Sequence, residues 1–180
     1  MVAMQPGRKL IVMRHAKAGE LPGGPDAERA LKTRGRRDAA AAGEWLRKHD
    51  YRPDAVICSA ARRARQTWQC VAEQLGGQRP VSVDPRLYQA GAAELTGIVA
   101  GTPADVGTVM YVGHNPAAVE LVAALTGEEV ELPASAVAVI AVSGPWPELA
   151  PGAGQLVASW RPHPSLDGPG DEPVRGSGPG

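Results

Sequence analysis

What most limits the folds open to this chain is the alternation of short apolar runs with stretches of helical periodicity. Leu10–Met13, Ala55–Cys58, Thr108–Val112 and Ala136–Val142 are near-continuous apolar runs, the pattern of strands buried on both faces. Val81–Val83 and Leu156–Trp160 are weaker runs, expected at sheet edges. Between them Ala64, Thr67, Trp68, Val71 and Leu75 recur at helical spacing, and Ala118, Leu121, Val122 and Leu125 repeat it. A helix from about Arg36 to Lys48 offers a slimmer face of Ala39, Ala42 and Leu46, and a shorter one around Ala92–Ala100 carries Leu95, Ile98 and Val99. Strands alternating with helices predict an α/β domain on a mostly parallel sheet with right-handed crossovers. Ligands bind such sheets beyond the carboxyl ends of the strands, so functional residues are sought just after each run.

Three places answer that search. The first run leads straight into Arg14-His15-Ala16, where a histidine is either a structural strand-end side chain or a catalytic one. The second ends at Cys58-Ser59 and a helix follows, with Ser59 expected as its cap. Arg62 and Arg63 then fall in the first turn, where cations oppose the helix dipole unless an anion is received there. A solvated basic face is the alternative, and Arg65 fits it. The run Thr108–Val112 opens into Gly113-His114-Asn115-Pro116, with Asn115 expected as a cap, Pro116 at the first helical position and Gly127 closing the helix. That leaves His114 on the turn, at the same sheet edge as His15. His49, beside Lys48 at a helix end, is expected to interact with the helix C-terminus, and His163 lies in the tail.

Two imidazoles and two guanidiniums suit a tetrahedral dianion, because Arg presents forked donors to phosphate oxygens. No acidic cluster has metal-ligand spacing and no Walker loop occurs. Phosphoryl transfer without metal, through a histidine nucleophile, is the chemistry that remains.

Composition sets the surroundings. A chain of 180 residues buries roughly 70% of its unfolded surface and needs neither disulfide nor metal to fold. Gly and Pro, 22 and 17 residues, are in excess, and half of the last twenty residues are one or the other. The domain is therefore expected over 1–161, with a disordered Gly/Pro-rich tail over 162–180 that cannot bury enough surface to order. Gly19–Pro25 is a loop long enough to fold over a site, and Ser143–Gly154 reads as a hairpin or Ω-type excursion. Met1–Arg8 lacks the apolar core of a signal peptide and no run approaches the ~18 residues of a membrane span. Cys58 and Cys70 read as reduced thiols, so a cytoplasmic location is expected, without a membrane partner. Basic and acidic residues balance at 19 each, and no aromatics interleave the stretches Arg29, Lys32, Arg34, Arg36, Arg37 and Arg62, Arg63, Arg65, which argues against nucleic acid as a partner. Those stretches read as a solvated face or as a docking surface for an acidic protein. The oligomeric state is not legible.

The motifs together resemble the histidine phosphatase superfamily, and within it the small SixA-like phosphohistidine phosphatases. The matching pieces are Arg14-His15-Ala16-Lys17-Ala18; Leu31–Gly35 followed by Arg36, Arg37, Asp38 and Ala39; Ser59 with Arg63, Ala64, Gln66 and Thr67; Asp84-Pro85 with Leu87-Tyr88; and Val112-Gly113-His114-Asn115-Pro116. The resemblance spans Leu10 to roughly Trp160. It implies a three-layer α/β/α sandwich of the phosphoglycerate mutase type, needing no cofactor and no metal for hydrolysis. It implies His15 as the nucleophile that becomes a phosphohistidine, with Arg14, Arg63 and His114 holding the phosphoryl oxygens and Ser59 adding a donor. Physical chemistry is consistent with those roles. Nearby cations disfavour protonation of His15, and a hydrogen bond from its other nitrogen to a backbone carbonyl would fix the tautomer. Charge on the transferring group is stabilised by the arginines and His114.

Three departures stand out. Ala16 replaces the glycine of many members. Lys32 stands where a Thr or Ser cap is usual, with Thr33 one place later, so that cap is shifted or lost. Gln89 stands where broader members carry a glutamate general acid. Monoester cleavage needs a proton for its alkoxide, whereas imidazole leaves more readily, so the missing acid tilts the substrate toward a phosphorylated histidine on a signalling protein such as a phosphotransfer domain. Glu20, Asp26 and Glu28, on the loop after His15, and Glu94, opening the following helix, are the candidate substitute acids, with Asp26 or Glu20 ranked first because that loop could fold over the site. A small-molecule phosphomonoesterase or mutase, and a non-catalytic phosphate- or phosphoprotein-binding module, are the alternatives.

Overall fold

The computed structural model describes residues 7–164. Strands β1 (Arg8–Arg14), β2 (Ala55–Ser59), β3 (Val81–Asp84), β4 (Thr108–Gly113), β5 (Val137–Val142) and β6 (Gly154–Trp160) form one sheet in the order β3-β2-β4-β1-β5-β6. Helices α1 (Thr33–Lys48), α2 (Arg62–Leu75), α3 (Ala92–Ala100) and α4 (Ala117–Thr126) lie on its two faces. The four strands β3, β2, β4 and β1 are mutually parallel, as expected. The last two are not: β5 runs antiparallel to β1, and β6 to β5. The reason lies in residues 128–136, which carry the chain from the end of α4 back to the carboxyl end of β1, so that β5 starts with Val137 opposite Met13.

Alternation along each buried strand builds two cores. Leu10, Val12, Val109 and Tyr111 point to one face, under α3 and α4, where they meet Leu95, Val99, Leu121 and Leu125. Ile11, Met13, Met110 and Val112 point to the other, under α1 and α2, and pack with Ala39, Leu46, Trp68 and Val71. Both faces are covered, which is why these strands carry no polar alternation and the architecture is a three-layer α/β/α sandwich. The edges fall to β3 and β6, as their weaker patterns predict, with Val81 and Val83 exposed. The β5–β6 connection is the expected excursion, pinned by Trp146, whose buried indole donates to the carbonyl of Val106 at 2.7 Å.

Several local expectations need correction. α1 starts at Thr33 rather than near Arg36, and Lys32 takes the cap position with no side-chain hydrogen bond, so the cap is lost. In its place the Lys32 N–H donates to the Lys17 carbonyl at 2.9 Å, and a Cβ on Gly35 would collide with that same carbonyl. Ser59 does not cap α2, because Ala60 and Ala61 intervene and Ala61 holds the cap position. Asn115 does not cap α4 and Pro116 is not its first helical residue; Pro116 sits at the cap position and Asn115 instead donates from Nδ2 to the Leu132 carbonyl at 2.9 Å. Gly127 does close α4, in the left-handed conformation at φ 75°. From residue 165 on, the expected tail lies outside the described residues. Among the described residues no helix is long and apolar enough to cross a membrane.

Candidate active site

The parallel strands β1, β2 and β4 end side by side, and each hands one chemical group to the same edge: His15 after β1, Ser59 on β2 and His114 after β4. The rings of His15 and His114 lie 5.3 Å apart. Arg63, one residue into α2, completes the group, its Nε 3.3 Å from His15 Nε2. It is buried, whereas Arg62 is exposed and Arg65 turns its exposed guanidinium onto the Ala60 carbonyl. Arg14 reaches the carbonyl of Leu132 through Nη1 at 3.2 Å, while its Nε is buried without a partner.

His15 is fixed from every side. Its Nδ1 stands 2.8 Å from the Ala16 carbonyl, which can only accept, so Nδ1 carries the proton and Nε2 presents a lone pair toward Arg63. Its backbone N–H donates to the Gly113 carbonyl at 2.8 Å and its carbonyl accepts from the Ser135 N–H at 3.2 Å. The next N–H, of Ala16, donates to Thr67 Oγ1 at 2.9 Å, and that hydroxyl donates to the Arg63 carbonyl at 2.7 Å. Thr67 thus ties the histidine loop to the helix that carries Arg63. One residue earlier, Gln66 accepts the Leu31 N–H at 2.8 Å and holds the returning end of the same loop.

His114 pairs with Ser59, Nε2 to Oγ at 2.7 Å, and its backbone N–H donates to the Tyr111 hydroxyl at 3.2 Å. Tyr111 can reach under it only because residue 113 is glycine; a Cβ there would run into the tyrosine ring. Burial first, then Coulomb repulsion from neighbouring cations, holds both imidazoles well below the usual value, each at about 4. The cations expected to keep His15 unprotonated are present, but desolvation is the larger cause. Burial also pushes the Cys58 thiol up, to about 12, leaving it inert beside the site.

Of the candidate acids, Asp26 reaches the site. The loop after His15 folds inward so that the Asp26 carbonyl accepts from Arg63 Nη1 at 3.0 Å and its carboxylate from Nη2 at 3.2 Å. Tyr88 donates its hydroxyl to the same carboxylate and lies edge-on to His114 at 5.7 Å, with the Arg63 guanidinium 5.8 Å from its ring centroid. Hydrogen bonds from Tyr88 and Arg29 hold the Asp26 carboxyl down at about 2, so it is ionised at neutral pH. Glu20, Glu28, Gln89 and Glu94 are exposed, and Glu94 lines a separate cleft. Tyr88, Gln66 and Thr67 stood inside recognised motifs without a role; their spacing shows the motif but not what each side chain touches. Tyr111 and Ser135 carry no sequence signal. Ser135 arrives through the antiparallel placement of β5, in the left-handed region at φ 70°.

The arrangement offers an unprotonated nucleophilic nitrogen surrounded by donors suited to phosphoryl oxygens, and the comparisons agree with it. Residues 10–131 match the family model described as histidine phosphatase superfamily, branch 1. Rv1276c of Mycobacterium tuberculosis, whose function is uncharacterised, is 35% identical over 156 residues, spanning 81% of this chain and 96% of that protein. A candidate SixA phosphohistidine phosphatase from Nakamurella multipartitia superposes with a TM-score of 0.81 at 33% identity, covering 89% of this chain and 99% of that one. The protein histidine phosphatase SixA complexed with tungstate gives 0.69 at 26% identity, over 84% and 95% of the two chains. The chain belongs to branch 1 of the histidine phosphatase superfamily and is a SixA-like phosphatase.

Proposed function

We propose that the chain removes the phosphoryl group from phosphohistidine on a signalling protein such as a phosphotransfer domain, through a covalent phosphohistidine at His15. One observation carries this reading: His15 Nδ1 is locked onto the Ala16 carbonyl, so Nε2 is unprotonated and its lone pair faces Arg63 Nε. The Nε2 lone pair attacks phosphorus, a new P–N bond forms, and the bond to the substrate's ring nitrogen breaks with its electron pair leaving on that nitrogen. Water then attacks the phosphorus, the pair returns to His15 Nε2, and the water proton passes to solvent. Arg14, Arg63 and His114 donate to the phosphoryl oxygens as charge spreads over them, with Ser59 orienting His114. None of these steps routes through a metal or a cofactor. The likeness to proteins named for phosphohistidine supports the substrate class. So does the chemistry of the rim, where Gln89 stands in place of a carboxylic acid and Asp26 is already ionised.

The test is hydrolysis of a phosphohistidine protein and of an aryl phosphate side by side, with His15→Ala as the blank. Strong preference for phosphohistidine, and none of either activity in His15→Ala, is the expected result. Equal or better cleavage of the aryl phosphate would transfer the chain to the small-molecule phosphomonoesterases. Binding of either without turnover would make it a phosphoprotein-binding module.

A further inference from the structure

A carboxylate on the phosphate-binding arginine needs an explanation, because it opposes the dianion that the arginine is there to receive. Asp26 is that carboxylate: its side chain is 53% exposed at the rim while its Arg63 partner is 7% exposed. A carboxylate has about four acceptor sites. Three are used here, by Arg29 Nε at 2.8 Å on Oδ1 and by Arg63 and Tyr88 on Oδ2. One remains, on Oδ1 of this half-exposed side chain.

Resting on the phosphohistidine reading, we propose that Asp26 is the leaving-group residue of this site: its carboxylate accepts the hydrogen bond of the ring N–H on the substrate's unphosphorylated nitrogen. A phosphoimidazole departs as an anion unless that distal nitrogen bears a proton. A fixed negative charge beside the ring favours the protonated form, as an opposite charge always does. The P–N bond then breaks with its pair going to the phosphorylated nitrogen, and the ring leaves as neutral imidazole with its proton where it was. No proton donor is consumed, which fits an ionised carboxylate and the Gln89 position alike. An ester oxygen has no second atom to carry such a proton. Asp26 cannot donate to it and repels it, so the same residue selects against monoesters.

The groups facing Asp26 are Arg29 on its own segment, Arg63 on α2 and Tyr88 after β3. His114 and His15 lie at the ends of β4 and β1, with Arg14 beyond. Both histidines are neutral above about pH 5, so the acid–base behaviour near neutrality belongs to the substrate ring.

The experiment compares wild type, Asp26→Asn and Asp26→Glu on a phosphohistidine protein and on an aryl phosphate across pH, with circular dichroism to check folding. Asp26→Asn is expected to lose about ten- to a hundredfold in kcat/KM on phosphohistidine, the scale of a hydrogen bond to a charged group. Its turnover of the aryl phosphate rises, and its alkaline limb on phosphohistidine moves to lower pH because the ring gives up its proton sooner. Asp26→Glu restores part of the preference. Equal loss on both substrates with an unmoved pH limb would overturn the proposal, since that is what mere support of Arg63 gives. A wild type with no preference for phosphohistidine would overturn the parent reading as well. A wild-type preference that survives intact in Asp26→Asn overturns this proposal alone.

Discussion

Arg63 is asked to do two things at once, to face His15 with Nε and to hold the Asp26 loop with both terminal nitrogens. Its truncation removes an electrostatic donor, usually worth a hundredfold or more in rate. Arg63→Ala is therefore expected to lose at least about a hundredfold in turnover while its far-ultraviolet circular dichroism stays native. A folded variant with near-normal turnover would remove Arg63 from the site. For the imidazoles, nitrogen NMR should find both His15 and His114 neutral down to about pH 5, titrating near 4. At this scale the sequence was half legible. His15, His114, Arg14, Arg63 and Ser59 stand in motifs tied to strand ends, and the fold brings all five to one edge. Tyr88, Tyr111 and Ser135 were not legible in role, because each meets the site through a side-chain direction or a return of the chain that spacing does not encode. The cap assignments for Ser59 and Asn115 failed for a related reason: a polar residue before a helix also has tertiary partners, and here His114 and Leu132 took them.

Helix α2 and the loop after His15 behave as one piece because Thr67 bridges them, accepting from Ala16 and donating to Arg63. Thr67→Val keeps the shape and removes the hydroxyl, leaving a buried N–H unsatisfied. It should cost about 1–3 kcal/mol in urea unfolding and lower turnover as well, since the nucleophile loses its tether. Loss of stability with turnover intact would show that His15 is held without it. α1 meets the same loop differently, by contact of backbone on backbone: Gly35 lies against the Lys17 carbonyl, and Gly43 lies against Val71 of α2. Gly35→Ala should destabilise by about 1–3 kcal/mol, the cost of overpacking, despite alanine's better helix propensity. A stabilised variant would mean the loop yields freely. Helices and strands were read correctly from apolar spacing. The early start of α1 was missed because its first turn is Thr33-Arg34-Gly35, which carries no apolar periodicity and no capping side chain.

For the whole molecule the two depressed imidazoles set a pH dependence. Unfolded, each histidine takes up its proton near 6.5, and folded it does so at about 4. Between those values the unfolded chain holds more protons, so stability is complete above about pH 6.5 and falls as pH drops toward 4. The slope from His15 is at most about 1.4 kcal/mol per pH unit, and His114, more open to solvent, contributes less. Asp26 acts in the same direction but lower, its contribution lost only as pH falls below 3.8 toward 2. Urea midpoints measured from pH 4 to 8 should rise to a plateau near 6.5; a flat profile would show that neither ring is depressed. The parallel half of the sheet was foreseeable from strand–helix alternation. The antiparallel half was not, since only the path of residues 128–136 decides where β5 begins.

The same topology has a consequence for biosynthesis. β1 lies between β4 and β5, so Lys9 finds its ladder partners only in Thr108 and Ala141, and Met13 finds its own in Val112 and Val137. At synthesis rates of about 5 to 20 residues per second, the run Leu10–Met13 leaves the ribosome roughly 5 to 20 s before either partner exists. During that interval the apolar run Leu10–Met13, already followed by His15, lacks both of its sheet neighbours, and shielding it falls to whatever meets the chain at the exit tunnel.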